Sequence, residues 1–354
     1  MFQPPFCPHR GCPNHRDPGP EFFNRHGTFW PKCRAHPVPR FRCRSCRRTF
    51  SRQTFRVDYR DHKPHLNAPL FDLTSMGIGI RMSARRLGLS RRATEEKLRK
   101  LARHLRRLNL TLRRPLHGHV ELHFDELETF EANRSLRPLT VPLLIETRTR
   151  YCIWAESETI RPKGKMTERR LEKLRIEQER RGFRKDRSRR AIRRTLDRGR
   201  AMIADDARIT LYTDEKKSYS RLARRAFGAK RLTHRTTNSK LARTTWNPLF
   251  AINHEDARLR DMLGRLRRQS WLVSQRRRYL DLVLQVQIAF RNLVRTRFNY
   301  DEASPAQLLG FVSRRLTKRE VLSWRMEWGK RSLHPLSRGR RSVAQFEAVT
   351  AAAA

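Results

Sequence analysis

The sequence has no hydrophobic segment of membrane-spanning length. No uninterrupted apolar run approaches the roughly 20 residues that a transmembrane helix requires. The opening segment, MFQPPFCPHRGC, also lacks the apolar core of a signal peptide. Together these absences predict an intracellular protein that has no membrane partner.

Acidic residues are scarce relative to basic ones. The chain holds 34 Asp and Glu against 81 Lys and Arg, which gives a formal net charge of +47. So large a charge would repel itself unless the working state includes a polyanion, and nucleic acid is the commonest one. Hydrophobic residues make up 37% of the chain, an ordinary globular share that excludes a wholly disordered basic tail.

Cysteine is almost absent after residue 46, since five of the six cysteines lie before residue 47. In a reducing compartment this clustering favours a metal site over disulfides. Two short loops, Cys7-x4-Cys12 and Cys43-x2-Cys46, can each direct two sulfurs at one point. We therefore predict a zinc ribbon with these four ligands. The alternative ligands in the same region are Cys33, His9, His15 and His36.

Composition divides the chain into four predicted parts of a multidomain α+β protein. They are a zinc ribbon over 1–62, a helix-turn-helix over 63–115, an α/β domain over 116–300 and a helical C-terminal appendix over 301–354. The α/β domain is interrupted by a basic segment at 161–200.

The second part has the pattern of a DNA-binding helix pair. Ala84 and Gly88 have the spacing of a tight helix-turn-helix corner, and Ser90 can cap the following helix. Leucines at 98, 101, 105 and 108 recur at helical spacing and should face the core. The other faces of the helices are basic and can contact phosphates or a major groove. The predicted DNA-binding residues here are Arg85, Arg86, Arg91, Arg92 and Lys97.

Two predicted strands of the third part end in aspartate. HVELHFDELETF is expected to form a strand ending at Asp125, and ARITLYTDEKKSY one running into Asp214. Between them, LTVPLLIET and RYCIWAES should form an antiparallel hairpin. Carboxylates at neighbouring strand ends can share two divalent cations about 4 Å apart, an arrangement that supports cleavage of phosphodiester bonds.

A third acid would come from the helix predicted for INHEDARLRDMLGRLRR. Its apolar positions at 252, 259, 262, 263 and 266 define one face. At about 100° per residue, Glu255 projects roughly 30° from the centre of that face and Asp256 roughly 70°. Asp261 points away, so Glu255 and Asp256 both remain candidates.

The chain resembles bacterial insertion-sequence transposases of the DDE type that carry an N-terminal zinc ribbon. The similar segments are FRCRSCRRTFS, FDELETF, TDEKKSY and INHEDARLRDMLGRLRRQSWLVS, the last with Leu259, Arg260, Leu266, Arg268, Ser270 and Ser274. The resemblance implies a ribonuclease H-like core with Asp125 and Asp214 as first and second acids, and Mg²⁺ or Mn²⁺ as catalytic cofactor. It also implies double-stranded DNA partners (transposon ends and target), a homodimer or higher oligomer on DNA, and a nucleoid-associated place in the bacterial cytoplasm.

One position departs from this family. Alignment through Leu259-Arg260 places Asn253 where the related enzymes carry their third acid, a glutamate. Either the acid is displaced to Asp256 or Glu255, with Asp256 narrowly favoured, or this chain is a catalytically weakened DNA-binding regulator derived from a transposon. A basic RNA-binding protein is a third reading. It is disfavoured because such proteins need no paired strand-end acids and because aromatic RNA-binding motifs are lacking.

The basic segment at 161–200 holds 18 Lys or Arg and 6 acids. Its pattern MTERRLEKLRIEQERR is helical, with opposite charges four residues apart on the surface. The excess positive charge predicts contact with a DNA backbone, and the residues expected to make it include Arg184, Arg187 and Arg190.

Overall fold

The structure is a computed structural model that describes residues 2–32, 35–267, 274 and 276–325. Within these residues, no helix is both long enough and apolar enough to cross a membrane. Several predicted features lie outside this part of the chain. They are the alternative ligand Cys33, Arg268 and Ser270 of the transposase-like segment, and the end of the C-terminal appendix from residue 326.

The N-terminal region forms a small antiparallel sheet with its own aromatic core. Helix α1 (Pro13–Arg16) precedes strands β1 (Phe23–Phe29), β2 (Val38–Cys43) and β3 (Thr49–Ser51), which pair in that order. The sheet is too small to bury many aliphatic side chains, and its core consists of phenylalanines. The buried ones are Phe6, Phe22, Phe41, Phe50 and Phe55.

Three helices follow: α2 (Asn67–Ser75), α3 (Ile80–Arg86) and α4 (Arg91–Thr111). The predicted cap of α4 is confirmed, because the Ser90 hydroxyl accepts a hydrogen bond of 3.1 Å from the amide of Ala93. Gly88 has φ +58°, which is the left-handed conformation that the tight corner requires. The four predicted core leucines of α4 are all buried.

The central layer is a six-stranded mixed sheet. Its strands are β4 (His119–Phe130), β5 (Pro138–Glu146), β6 (Cys152–Ala155), β7 (Glu158–Thr159), β8 (Arg208–Asp214) and β9 (Leu232–Thr237). The order is β6-β5-β4-β8-β9, with β7 paired to β5. Strands β4, β5 and β6 are antiparallel, which confirms the predicted hairpin, whereas β8 and β9 run parallel to β4.

Strand β4 is longer than predicted. The expected end at Asp125 is wrong, because the strand continues to Phe130 and pairs with β5 as far as Pro138. The buried side chains of Leu127 and Thr129 explain the extension, since they keep the alternation of a strand through the acidic sequence. The pairing of β4 with β8, however, runs only to His123. Asp125 therefore lies two residues beyond the last residue of β4 that pairs with β8.

The remaining helices are α5 (Glu168–Arg181), α6 (Ser188–Arg200), α7 (Lys217–Phe227), α8 (Phe250–Met262), α9 (Arg277–Ala289), α10 (Pro305–Leu308) and α11 (Lys318–Ser323). Helix α8 is shorter than its sequence pattern predicts, because Leu263 already has an extended backbone. The predicted apolar face is therefore split. Leu263 and Leu266 are buried from the segment that follows the helix, while Leu259 and Met262 are only half-buried.

A single hydrophobic core joins the helices around residues 63–115 to the sheet and to the C-terminal helices. It includes Leu105 of α4, Leu122 of β4, Leu284 of α9 and Trp324 after α11. The imidazole of His104 also hydrogen-bonds the carbonyl of Val321 at 2.8 Å. The predicted second, third and fourth parts of the chain thus share one core in their described residues.

Candidate metal centres and nucleic-acid surface

The four predicted zinc ligands converge in the N-terminal region. The sulfurs of Cys7, Cys12, Cys43 and Cys46 all lie within 4.8 Å of one another. The Cys7–Cys46 and Cys12–Cys43 sulfur pairs are each 3.6 Å apart. A tetrahedral site with Zn–S bonds of about 2.3 Å has sulfur–sulfur edges of about 3.8 Å, so the four thiols fit a zinc ion closely.

Neighbouring polar groups support this site. Asn14 donates to the Cys43 sulfur at 3.6 Å and to the Ser45 hydroxyl at 2.7 Å. Burial opposes ionisation of Cys43, but hydrogen bonds from the amide of Cys46 and from Asn14 outweigh it and lower the pKa of Cys43 to about 7. Of the alternative ligands, His15 is instead engaged with the carbonyl oxygen of Cys7 at 2.7 Å.

Strands β4 and β8 bring Asp125 and Asp214 side by side. The parallel register ends with the pair His123 and Tyr212, and Asp125 and Asp214 each follow two residues further along their own strands. Residues two apart on a strand share a face of the sheet. The His123 and Tyr212 rings stack with centroids 4.7 Å apart, which places both aspartates on the same face. Burial raises the pKa of Asp125, and the negative charge of Asp214 adds to the effect.

Helix α8 supplies a third aspartate to the same place. Asp256 is only 5% exposed, and its carboxylate lies within hydrogen-bonding range of Asp125. Burial, followed by the charge of Asp125, raises the pKa of Asp256 well above its ordinary value. Its Oδ1 is buried and accepts no hydrogen bond from a described residue. Two ionised carboxylates only accept hydrogen bonds, so the proximity of Asp125 and Asp256 favours a proton or a cation between them.

A buried histidine fixes the start of helix α8 against the sheet. His123 Nε2 lies 2.8 Å from the carbonyl of Pro248, and Nδ1 lies 2.9 Å from the Thr147 hydroxyl. A carbonyl only accepts, so Nε2 carries the proton, and burial lowers the pKa of His123 to about 4. Sequence reasoning missed this role. The one available signal was a histidine between buried residues, two positions before Asp125.

Glu255 does not join the aspartates. Arg291 donates to both of its oxygens, at 2.8 and 3.1 Å, and Arg258 donates to one at 3.1 Å. Burial opposes its ionisation, yet His254 and these arginines together lower the pKa of Glu255 to about 2. The negative charge of Glu255 is therefore neutralised by ion pairs inside the protein. Asp261 is 84% exposed, as the helix periodicity predicts.

The three aspartates form a wider group than the cysteines. Among the described residues, the four cysteines are the one group of three or more metal-ligating side chains whose ligand atoms all lie within 4.8 Å of one another. The unpartnered oxygen of Asp256 and the neighbouring negative charge of Asp125 would be relieved by a bound cation.

Most of the predicted DNA-binding residues are accessible. Arg85 and Arg86 at the end of α3, and Arg91 and Arg92 at the start of α4, are exposed. In the basic segment, α5 buries no residue and carries the predicted surface ion pairs, such as Arg175 with Glu172 at 2.9 Å. Arg187 and Arg190 near the start of α6 are also exposed.

Two predicted DNA contacts need correction. Lys97 is 7% exposed, and its ammonium group donates to both carboxylate oxygens of Asp61 at 2.6 Å and to the Lys63 carbonyl at 2.7 Å. Arg184 donates to Glu131 at 2.7 Å and to the Pro138 carbonyl at 2.9 Å. Both cations stabilise the fold, and neither is free to bind phosphate. Helix periodicity alone could not reveal acidic partners so distant in sequence.

Neither the models of known protein families nor the curated protein sequences include a match to this chain.

Proposed function

We propose that this chain is a DNA transposase that binds terminal inverted repeats and performs divalent-metal-dependent strand cleavage and strand transfer. The observation that carries the proposal is that Asp214 of β8 and the buried Asp256 of α8 both lie close to Asp125 of β4. Crowded like charges destabilise a protein unless a cation neutralises them. The mixed sheet, in which three antiparallel strands are extended by two parallel ones, is the architecture expected of a ribonuclease H-like core and supports the proposal.

The three aspartates are the residues that would hold the divalent cations, since Asp125 lies beside both of the others. When bound, magnesium or manganese would activate the attacking water or 3′ hydroxyl and stabilise the leaving oxygen. The hydrogen bond from His123 to Pro248 keeps α8, and with it Asp256, at a fixed distance from β4.

A strand-cleavage assay tests the proposal. The substrate is DNA that carries the sequences flanking this gene, incubated with and without Mg²⁺ or Mn²⁺. Asp214→Asn should reduce cleavage at least about 100-fold, because it removes stabilisation of developing charge, and it should leave DNA binding nearly intact. Asp261→Asn, which removes an exposed acid from α8, is the matched control and should cleave normally. Equal cleavage by both variants would refute the assignment.

The second candidate function is a DNA-binding regulator that keeps the fold without turnover. Asn253 favours it, because an uncharged residue occupies the position of the related enzymes' third acid. The same assay separates the two functions. Specific binding with no cleavage under either metal would establish the regulator, whereas metal-dependent cleavage that needs Asp256 would exclude it.

A further inference from the structure

A cavity of about 880 Å³ opens between the helix-turn-helix and the segment that follows helix α8. One wall comes from α3 and the start of α4, and the other from residues 264–265 and 276–279. Arginines line both walls. They are Arg81, Arg85, Arg91 and Arg92 on the first, and Arg265, Arg276 and Arg278 on the second. We call this feature the arginine groove.

The described residues that line the arginine groove do not balance its positive charge. The only acid among its lining residues is Glu95, which already accepts hydrogen bonds from Arg91, at 2.9 Å, and from the Tyr279 hydroxyl. Arg265 is partly buried, and burial lowers its pKa. Among the described residues, its side chain donates to the neutral Ser274 hydroxyl at 2.7 Å. A desolvated guanidinium that donates to a neutral group favours an anionic ligand.

The two walls are joined tightly. Gly77, in the turn before α3, has φ +80°, and a Cβ at this position would lie 2.0 Å from the carbonyl oxygen of Met262. Met262 is the last residue of α8, the helix that carries Asp256. Any ligand that fills the arginine groove therefore contacts the helix-turn-helix and the segment just after the helix of the acidic group together.

We infer that the arginine groove binds the phosphodiester backbone of DNA, so that one stretch of backbone bridges the helix-turn-helix and the end of α8 in the same chain. Arginines on facing walls suit a linear polyanion, and the cavity is far larger than one phosphate group needs. This inference rests on the proposed function for the identity of its ligand. It adds that, within a single chain, the same stretch of DNA backbone contacts the helix-turn-helix that recognises the DNA end and lies next to the acidic group.

The test uses the second wall, whose arginines the helix-turn-helix pattern does not predict. Full-length Arg276→Gln/Arg278→Gln protein is compared with Arg315→Gln/Arg319→Gln protein, which loses the same charge from exposed positions outside the groove. Binding to a fluorescent 30-base-pair duplex is measured by anisotropy at several salt concentrations, with no divalent metal. The slope of log K against log salt should flatten by about 1.8 for two lost contacts in the groove variant. The control variant should keep the wild-type slope.

A groove variant with the wild-type slope would overturn the inference, provided that its thermal unfolding shows it folded. Loss of binding to an RNA of the same length, with DNA binding unchanged, would overturn it as well. Failure of the proposed function is distinguishable, because this assay needs no cleavage. If the protein binds DNA through the arginine groove but does not cleave it, the inference stands and the proposed enzymatic function is refuted.

Discussion

The crowding of Asp125 and Asp256 should make the metal-free protein unusually sensitive to pH. Both carboxyl groups have their pKa raised in the folded state, mainly by burial. The folded protein therefore holds protons that the unfolded chain releases above its ordinary pKa of about 3.9. Stability should fall as pH rises from about 4 through the raised values. Asp256→Asn removes one of the two charges and should abolish most of this loss.

The size of the effect follows from the contact between the carboxylates. Two unit charges about 4 Å apart repel by about 4 kcal/mol at an effective dielectric constant of 20. A proton shared between the two carboxylates relieves part of this repulsion. Asp256→Asn should therefore raise the free energy of unfolding by about 2–4 kcal/mol at pH 8. At about 2 °C per kcal/mol, the melting temperature should rise by roughly 4–8 °C. The gain should shrink as the pH is lowered towards 4, because protonation of the two groups removes their repulsion.

The assay is thermal unfolding at pH 4 and pH 8, with and without Mg²⁺, in zinc-replete buffer. A chelator must be avoided because it would also attack the cysteine site. Magnesium at 100 times its dissociation constant should stabilise the wild type by about 2.7 kcal/mol, and it should stabilise Asp256→Asn much less. Asp261→Asn should match the wild type throughout. A destabilised Asp256→Asn protein at pH 8, or equal stabilisation of both proteins by magnesium, would refute the proposed crowding of Asp125 and Asp256.

Three further predictions concern the rest of the chain. Elemental analysis of the full protein should return about one zinc, and Cys43→Ser should lose it together with the fold of the N-terminal sheet; retained zinc would point to other ligands. Arg187→Gln/Arg190→Gln should weaken binding to any duplex and flatten its salt dependence by up to about 1.8, whereas Arg175→Gln, already ion-paired with Glu172, should change it little. Lys97→Ala removes the cation that pairs with Asp61 and should lower the free energy of unfolding by about 3–5 kcal/mol, measured by denaturant unfolding. An unfolding midpoint equal to that of the wild type would contradict the buried pair.

Local patterns in the sequence predicted the elements that depend on local physics. The cap at Ser90, the leucine face of α4 and the β5–β6 hairpin follow from side chains within a few residues of one another, and all three are confirmed. The four cysteines were predictable because short loops fix their sulfurs in pairs. Where the prediction was wrong, at the end of β4, the partner strand β5 decided the outcome.

The parts that escaped prediction depend on contacts distant in sequence. The two acids of α8 are adjacent, and periodicity alone left both open. Their environments differ because Arg291 of the π-helical turn at Phe290–Val294 binds Glu255, while Asp125 of β4 lies beside Asp256. The sequence pattern places Lys97 on the surface of its helix, but in the fold it forms a buried ion pair with Asp61. Such pairings are set by the tertiary fold and leave no periodic signal.

Anomalous diffraction from crystals of the DNA-bound protein soaked in MnCl₂ would locate the bound cations. We expect two manganese peaks about 4 Å apart with Asp125, Asp214 and Asp256 as their ligands, and Glu255 still paired with Arg291. Strong anomalous peaks elsewhere on the chain, with none at the three aspartates, would contradict this expectation.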